Sequence, residues 1–264
     1  MIDTREVRPT KPPAPWFGGK RLLAGRLNEI IGEMPHRLYA EPFVGMGGVF
    51  FRRTRLPAVE VINDYSGDVA TLFRILQRHY PQLMDVLKFQ ITSRREFDRL
   101  RTADPTTLTD LERAARLLYL QRLAYGGKVS GRNFGVDRHG PARFNVLRLA
   151  SVLEDVHERL AGVTIENLPW QAFVDRYDRA ETLFYLDPPY YGCEDDYGRE
   201  LFSRDQFEEM AERLARLSGR FVLSINDRPE TRALFGRFDL MTVDLRYSVA
   251  GGKGTPATEL IVRS

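Results

Sequence analysis

The residues with the most chemistry to offer stand in the run LFYLDPPYYG, 183–192, where an apolar stretch ends in Asp187, two prolines and two tyrosines. An exocyclic amine on a base is a poor nucleophile because its lone pair is delocalised into the ring. If Asp187 and the Pro188 carbonyl each accept one N–H, the nitrogen is drawn toward a tetrahedral geometry and its lone pair can point at a methyl carbon. Catalysis of this kind is mainly orientation, with acceptors aimed at the positive charge that grows on nitrogen. Pro188 and Pro189 fix the main chain and supply carbonyls without competing donors. Tyr190 offers a flat face to a base swung out of a duplex. A strand followed by a Pro-Pro turn with an incidental acid is the structural alternative.

A second constellation, EPFVGMGGVFF at 41–51, sets Gly45, Gly47 and Gly48 between a strand and an apolar helical start. There the backbone can approach a ligand closely. The run lacks a full GxGxxG and the Lys-Ser/Thr of a phosphate loop, so a plain tight turn competes with the binding reading. Asp64 lies 19 positions after Gly45, at the tip of the next strand, where an acid can accept both hydroxyls of a ribose. A surface acid is its alternative. A nucleoside ligand without a pyrophosphate fits this pair, and S-adenosylmethionine meets that description.

The elements that must position these groups can be read from periodicity. Residues 1–15 are rich in Pro and read as a loose arm. Leu22, Leu23, Leu27, Ile30 and Ile31 repeat at helical spacing, which predicts a helix from about Lys20 to Glu33. RLYAEPF and VEVIND are predicted strands. From Asp68 to about Leu160 helical patterns dominate, interrupted by the Gly-rich loop GGKVSGRNFGVDRHGPARFN, and no strand is predicted. Strands then return as VTIENL, LFYLD and RFVLSIND. SRDQFEEMAERLARLSG reads as a helix opened by a Ser203 to Gln206 capping box and closed by Gly219. PETRALF is a short helix, and DLMTVDLRY with TELIVR forms a closing pair around SVAGGKGTPA. Strands alternating with helices imply a mostly parallel sheet covered on both faces.

Composition narrows the setting. The 264 residues, 43% apolar and 28% charged, suffice for one α/β domain with an inserted lobe. A single cysteine, Cys193, excludes an internal disulfide and points to a reducing compartment. No apolar run approaches a membrane span and no signal peptide is evident, so a cytoplasmic protein is expected. The net charge of +3 is mild, but between Leu120 and Arg148 six basic residues accompany one acid, Asp137. His36, His79, His139 and His157 are scattered without ligand spacing, and no metal is expected.

The ordered set PWFGGK, EPFVGMGGVF, IND, a helical insertion, FNV, LDPPY and FVLSIND resembles the Dam-like, alpha-class DNA adenine-N6 methyltransferases, from about Pro15 to Val262. The resemblance implies a Rossmann-like α/β fold for S-adenosylmethionine-dependent methyl transfer, with a mostly parallel sheet and a closing antiparallel strand. The catalytic domain would comprise 1–67 and 160–264, and 68–159 would be a helical target-recognition insertion. It assigns Trp16, Lys20, Phe43, Gly45, Gly47, Asp64 and Asp187 to the cofactor, with Lys20 pairing the methionine carboxylate, and Asp187, Pro188, Pro189 and Tyr190 to catalysis. Candidate contacts to double-stranded DNA are Tyr125, Lys128, Arg132, Asn133 and Arg138, each with a solvated surface residue as its alternative. A monomer is the expected state. The chain departs from the family where Leu147 and Arg148, rather than Pro-x-Gly, follow FNV.

Other readings stay open at this level. Cytosine-N4 enzymes more often carry Ser at the position of Asp187, which disfavours that acceptor, whereas an adenine in RNA is harder to exclude. A DNA-binding protein that kept the fold without chemistry is disfavoured by the intact Asp187–Tyr190 box, Asp64 and the glycines. Cys193 reads as a loop thiol.

Overall fold

The computed structural model describes residues 4–136, 140–192, 202–247 and 255–264. Among them a seven-stranded sheet is formed by β2 (Leu38–Glu41), β4 (Val59–Asn63), β5 (Thr164–Glu166), β6 (Thr182–Leu186), β7 (Arg220–Asn226), β8 (Asp239–Tyr247) and β9 (Thr255–Arg263), in the spatial order β5-β4-β2-β6-β7-β9-β8. The pairs from β5 to β7 are parallel, whereas β9 runs antiparallel to both β7 and β8. The chain order reverses between β2 and β6, so a crevice opens at their carboxyl ends.

The sheet is buried on both faces because its strands alternate two apolar sets. Leu183 and Tyr185 of β6 face one core, shared with α1 (Ala24–Glu33), α2 (Gly67–Arg78), α3 (Tyr80–Leu87), α5 (Asp110–Leu123) and α6 (Val146–Leu160). Phe184 and Leu186 face the other, built with α7 (Trp170–Tyr177), α8 (Asp205–Leu214) and α9 (Pro229–Phe235). A period of two over a wholly buried strand is what central parallel strands require. The segment 68–159 is helical, as its pattern predicts, and also carries α4 (Arg94–Thr102). Its helices share one continuous core with the sheet: Leu72 and Phe73 of α2 and Leu153 of α6 are fully buried in the same cluster as Ile62 of β4.

Several local expectations are corrected. The amino-terminal arm is not loose: β1 (Arg5–Glu6) pairs antiparallel with β3 (Arg55–Leu56), and the Thr10 N–H donates to the Phe51 carbonyl at 2.8 Å. The first helix begins at Ala24, preceded by turns over Lys20–Leu23. The Ser203 to Gln206 capping box does not form. The helix begins at Asp205, after Arg204, without a side-chain cap, and the Gln206 side-chain oxygen accepts instead from the Trp170 indole N–H at 2.8 Å. A capping box does open α5, between Thr109 and Glu112. Gly219 lies beyond the helix, which ends at Leu214. Its value is close approach, since a Cβ there would meet the Thr182 carbonyl at 2.6 Å. Among the described residues no helix is long and apolar enough to cross a membrane. Most of the SVAGGKGTPA connector, together with Cys193 and Arg138, lies outside the described residues.

Candidate active site

A cavity of about 830 Å³ opens at the carboxyl ends of β2 and β6. Trp16, Lys20, Phe43, Gly45, Asp64, Asp187, Pro188, Pro189 and Tyr190 all line it, so the two motifs, 140 residues apart in the chain, meet in one place.

The Gly turn follows β2 directly. Gly45 takes a left-handed backbone (φ +50°), and a Cβ there would lie 2.7 Å from Trp16 Nε1, so the indole packs against the bare glycine. Gly47 also has positive φ (+72°), but its missing side chain makes room for the Phe51 ring, and it is not among the residues lining the cavity. Asp64, just past β4, accepts the Gly45 N–H at Oδ2 and the Ser66 N–H at Oδ1, both at 2.9 Å, and thereby ties the turn to the neighbouring strand. Burial pushes its carboxyl up to about 6 against the pull of those two N–H groups. Asn63 braces the same loop, donating to the carbonyls of Pro42 and Leu168.

At the tip of β6, Asp187 Oδ1 lies 2.8 Å from Lys20 Nζ and accepts from the Ser224 hydroxyl at 3.2 Å. Oδ2 takes no protein hydrogen bond among the described residues. Burial raises the Asp187 carboxyl to about 6, opposed chiefly by Lys20. Lys20, 2% exposed, is therefore not held out toward solvent: it also donates to the Tyr190 hydroxyl at 2.9 Å, sits 4.3 Å from the Tyr190 ring centre and approaches Glu259 at 3.5 Å. The Tyr190 hydroxyl in turn donates to Glu259 Oε1. Asn226, at the end of β7, clasps the main chain of Tyr191 through both its amide atoms at 2.9 Å, fixing the turn after the prolines.

Three participants escaped the sequence reading. Glu259 on β9 and Ser224 on β7 are polar residues in otherwise apolar strand runs, which is the signal that marks them. Glu41, which closes β2 and lines the cavity, is strongly perturbed: burial lifts its carboxyl to about 8, although the Tyr39 hydroxyl donates to it at 2.7 Å. It is therefore neutral at pH 7 in the open cavity.

The candidate DNA residues lie on the loop after α5. Ala124 pairs with Phe134 in an antiparallel bridge, and the Tyr125 N–H donates to the Asn133 carbonyl at 2.8 Å. Tyr125, Lys128 and Asn133 are exposed. Arg132 is turned inward: its Nη2 donates to Gln121 Oε1 at 3.3 Å, and burial lowers its pKa to about 10, so it stays charged. Arg122, from the end of α5, reaches the cavity wall.

The strand order, the antiparallel β9 and a cavity between a Gly turn and an Asp-Pro-Pro-Tyr tip define the class, a Rossmann-like methyltransferase. A family model for the D12 class N6 adenine-specific DNA methyltransferases matches residues 16–249, and the chain belongs to that family. It is similar to type II methyltransferase M1.LlaDCHI of Lactococcus lactis subsp. cremoris, 24% identical over 252 residues that cover 89% of this chain and 87% of that one. Type II methyltransferase M.CviBI of Paramecium bursaria Chlorella virus NC1A is 22% identical over 198 residues, 74% of this chain and 75% of its own. Among solved structures, a ribosomal protein L11 methylase from Lactobacillus delbrueckii subsp. bulgaricus overlays with a TM-score of 0.39 at 8% identity, covering 96% of this chain and 82% of that one. The enzyme thus transfers a methyl group from a donor to adenine N6 in DNA.

Proposed function

We propose that the donor is S-adenosylmethionine, held in the cavity beside the Gly45 turn and the Trp16 indole packed on it, with its ribose hydroxyls on Asp64 and its adenine near Phe43. The adenine to be methylated leaves the duplex and enters beside Tyr190, where Asp187 and the Pro188 carbonyl each accept a hydrogen bond from one N6–H. The observation that carries this reading is the divided use of Asp187: Oδ1 is bound to Lys20 and Ser224, which leaves Oδ2 for the amine. Lys20 holds the carboxylate ionised and aimed, and its reach toward a methionine carboxylate comes from the same position. The donor supplies an electrophilic methyl on a sulfonium. The chain's own part is to align that methyl with the nitrogen and to accept the one proton released as the N6 amine gains the methyl and the sulfonium leaves as a thioether.

The 125–133 loop and the exposed Lys128 and Tyr125 beside the cavity form the duplex-facing surface, and the helical segment that carries them serves target recognition. Given its type II relatives, the protein acts as the modification half of a restriction pair. The test is incubation with labelled S-adenosylmethionine and separate DNA and RNA, then digestion to nucleosides. Label in N6-methyladenine from DNA supports the reading; label only in RNA, or only in cytosine, overturns it.

A further inference from the structure

Gln121 is the last residue of the continuous buried stretch of α5, 114–121, with 0% exposure. An amide at such a place is costly unless its groups are bonded, and an apolar residue of like size would fill the space without that cost. Its bonds all run to the two sides of the cavity mouth. Nε2 donates to the Pro15 carbonyl at 3.0 Å and to the Gly127 carbonyl at 2.6 Å, while Oε1 accepts from Arg132. The amide's orientation is forced, because carbonyls only accept and a guanidinium only donates.

Pro15 leads directly into Trp16, on the donor side. Gly127 and Arg132 belong to the loop that presents Tyr125 and Lys128. The two sides also touch without Gln121: the Phe17 N–H donates to the Gly127 carbonyl at 2.9 Å, and a Cβ on Gly127 would meet the Trp16 main-chain nitrogen at 3.2 Å. The Gly127 backbone is left-handed (φ +70°), so the turn can lie flat against the Trp16 segment. Any shift of the loop on a duplex must therefore pull on the segment that holds Trp16 over Gly45.

We propose that Gln121 is a positioning residue for methyl transfer, which locks the Trp16 segment to the 125–133 loop so that donor and DNA each tighten the other's binding. The inference rests on the roles given above to Trp16 and to the loop. Arg132 acts inside this lock, not on a phosphate.

The test is the affinity for S-adenosylhomocysteine, which binds without reacting, measured with and without a duplex that the wild-type enzyme methylates. DNA should tighten binding by about fivefold or more in the wild type, within the usual span of coupled sites. Gln121→Met should bring that ratio to near one. Gln121→Glu keeps the acceptor for Arg132 but has no donor for Pro15 and Gly127, and should lose the coupling as well. Lys128→Ala should weaken DNA binding and flatten its salt dependence yet keep the ratio. Each variant is first checked for cooperative melting; if Gln121→Met fails to fold, Arg132→Met removes the Arg132 bond to the Gln121 amide and should lower the ratio in part, and an unchanged ratio there overturns the proposal. A wild-type ratio of one, or an unchanged ratio in the variants, overturns the proposal in an enzyme that still methylates DNA. Absence of DNA adenine methylation would instead overturn the functional reading beneath it.

Discussion

Lys20 Nζ and Asp187 Oδ1 are 2.8 Å apart, with 1% of the Lys20 side chain and 20% of the Asp187 side chain exposed. The pair joins the amino-terminal PWFGGK run to the tip of β6. Its sheltered setting makes it worth more than a surface ion pair, and removing one partner leaves the other charge stranded. The lysine thus opposes the upward push that burial gives the Asp187 carboxyl.

The reaction should therefore fail in acid. Asp187 and Asp64 both sit near 6, well above the ordinary value of 3.8. Accepting an amine's hydrogens and compensating growing positive charge both need the ionised form of Asp187. kcat/KM should rise through about pH 6 and level off above it. For stability the sign is reversed: a carboxyl whose pKa is raised by folding stabilises the fold most below pH 3.8, and that contribution is lost as pH climbs to about 6. A flat kcat/KM between pH 5 and 8 would contradict the assignment.

Asp187→Ala should lower single-turnover methyl transfer by at least about 10²-fold, the usual span for a positioned proton acceptor. Duplex affinity should stay within a few-fold of wild type, since the loop proposed to face DNA is untouched. Filter binding and a quench-flow time course measure the two quantities separately.

Glu41 should release a proton when the donor binds. It is lifted to about 8 in the open cavity, and a sulfonium and ammonium brought near would favour its ionised form. Calorimetric titration at pH 7 in buffers of different ionisation enthalpy should show net release of up to about one proton. The release should vanish in Glu41→Gln.

The two positive-φ glycines of the turn after β2 should separate by effect. Gly47→Ala drives a methyl into the Phe51 ring and adds left-handed strain, so it should lower stability by about 2 kcal/mol or more. Gly45→Ala pushes on the Trp16 indole, so its main effect should be weaker donor binding. Denaturant melts and donor titrations distinguish the pair.

Away from the cavity, Glu60 accepts from Arg53 at 2.6 Å and from both terminal nitrogens of Arg159 at 2.7 and 2.8 Å, all three side chains being buried. Glu60→Gln leaves two guanidinium groups facing a neutral amide and should cost about 3 kcal/mol or more in urea unfolding. Arg99, exposed on α4, should lose less than about 1 kcal/mol on change to Ala.

What could be read in the chain was what local chemistry dictates. The apolar run into Asp187 marked β6 and its tip, and the spacing from Gly45 to Asp64 placed an acid beside a turn. Period-two patterns and Gly breaks separated strands from connectors. What could not be read depends on partners distant in sequence. The Ser203 to Gln206 pattern is a sound cap signal, but it cannot show that Trp170 competes for the Gln206 side chain. Arg132 looks like a phosphate ligand until Gln121, a buried amide that periodicity treats as noise, draws it inward. Glu259 stands out as an acid in an apolar strand run, but its role is defined only by Lys20 and Tyr190, which the run does not reveal.

Glu259 lies near the carboxyl end and Lys20 near the amino end, yet they share one contact with Tyr190. During vectorial synthesis the first of these groups emerges long before the last. The cluster of Lys20, Tyr190 and Glu259 is therefore complete only when β9 is seated beside β7, so it reports closure of the whole sheet and not the folding of any one segment.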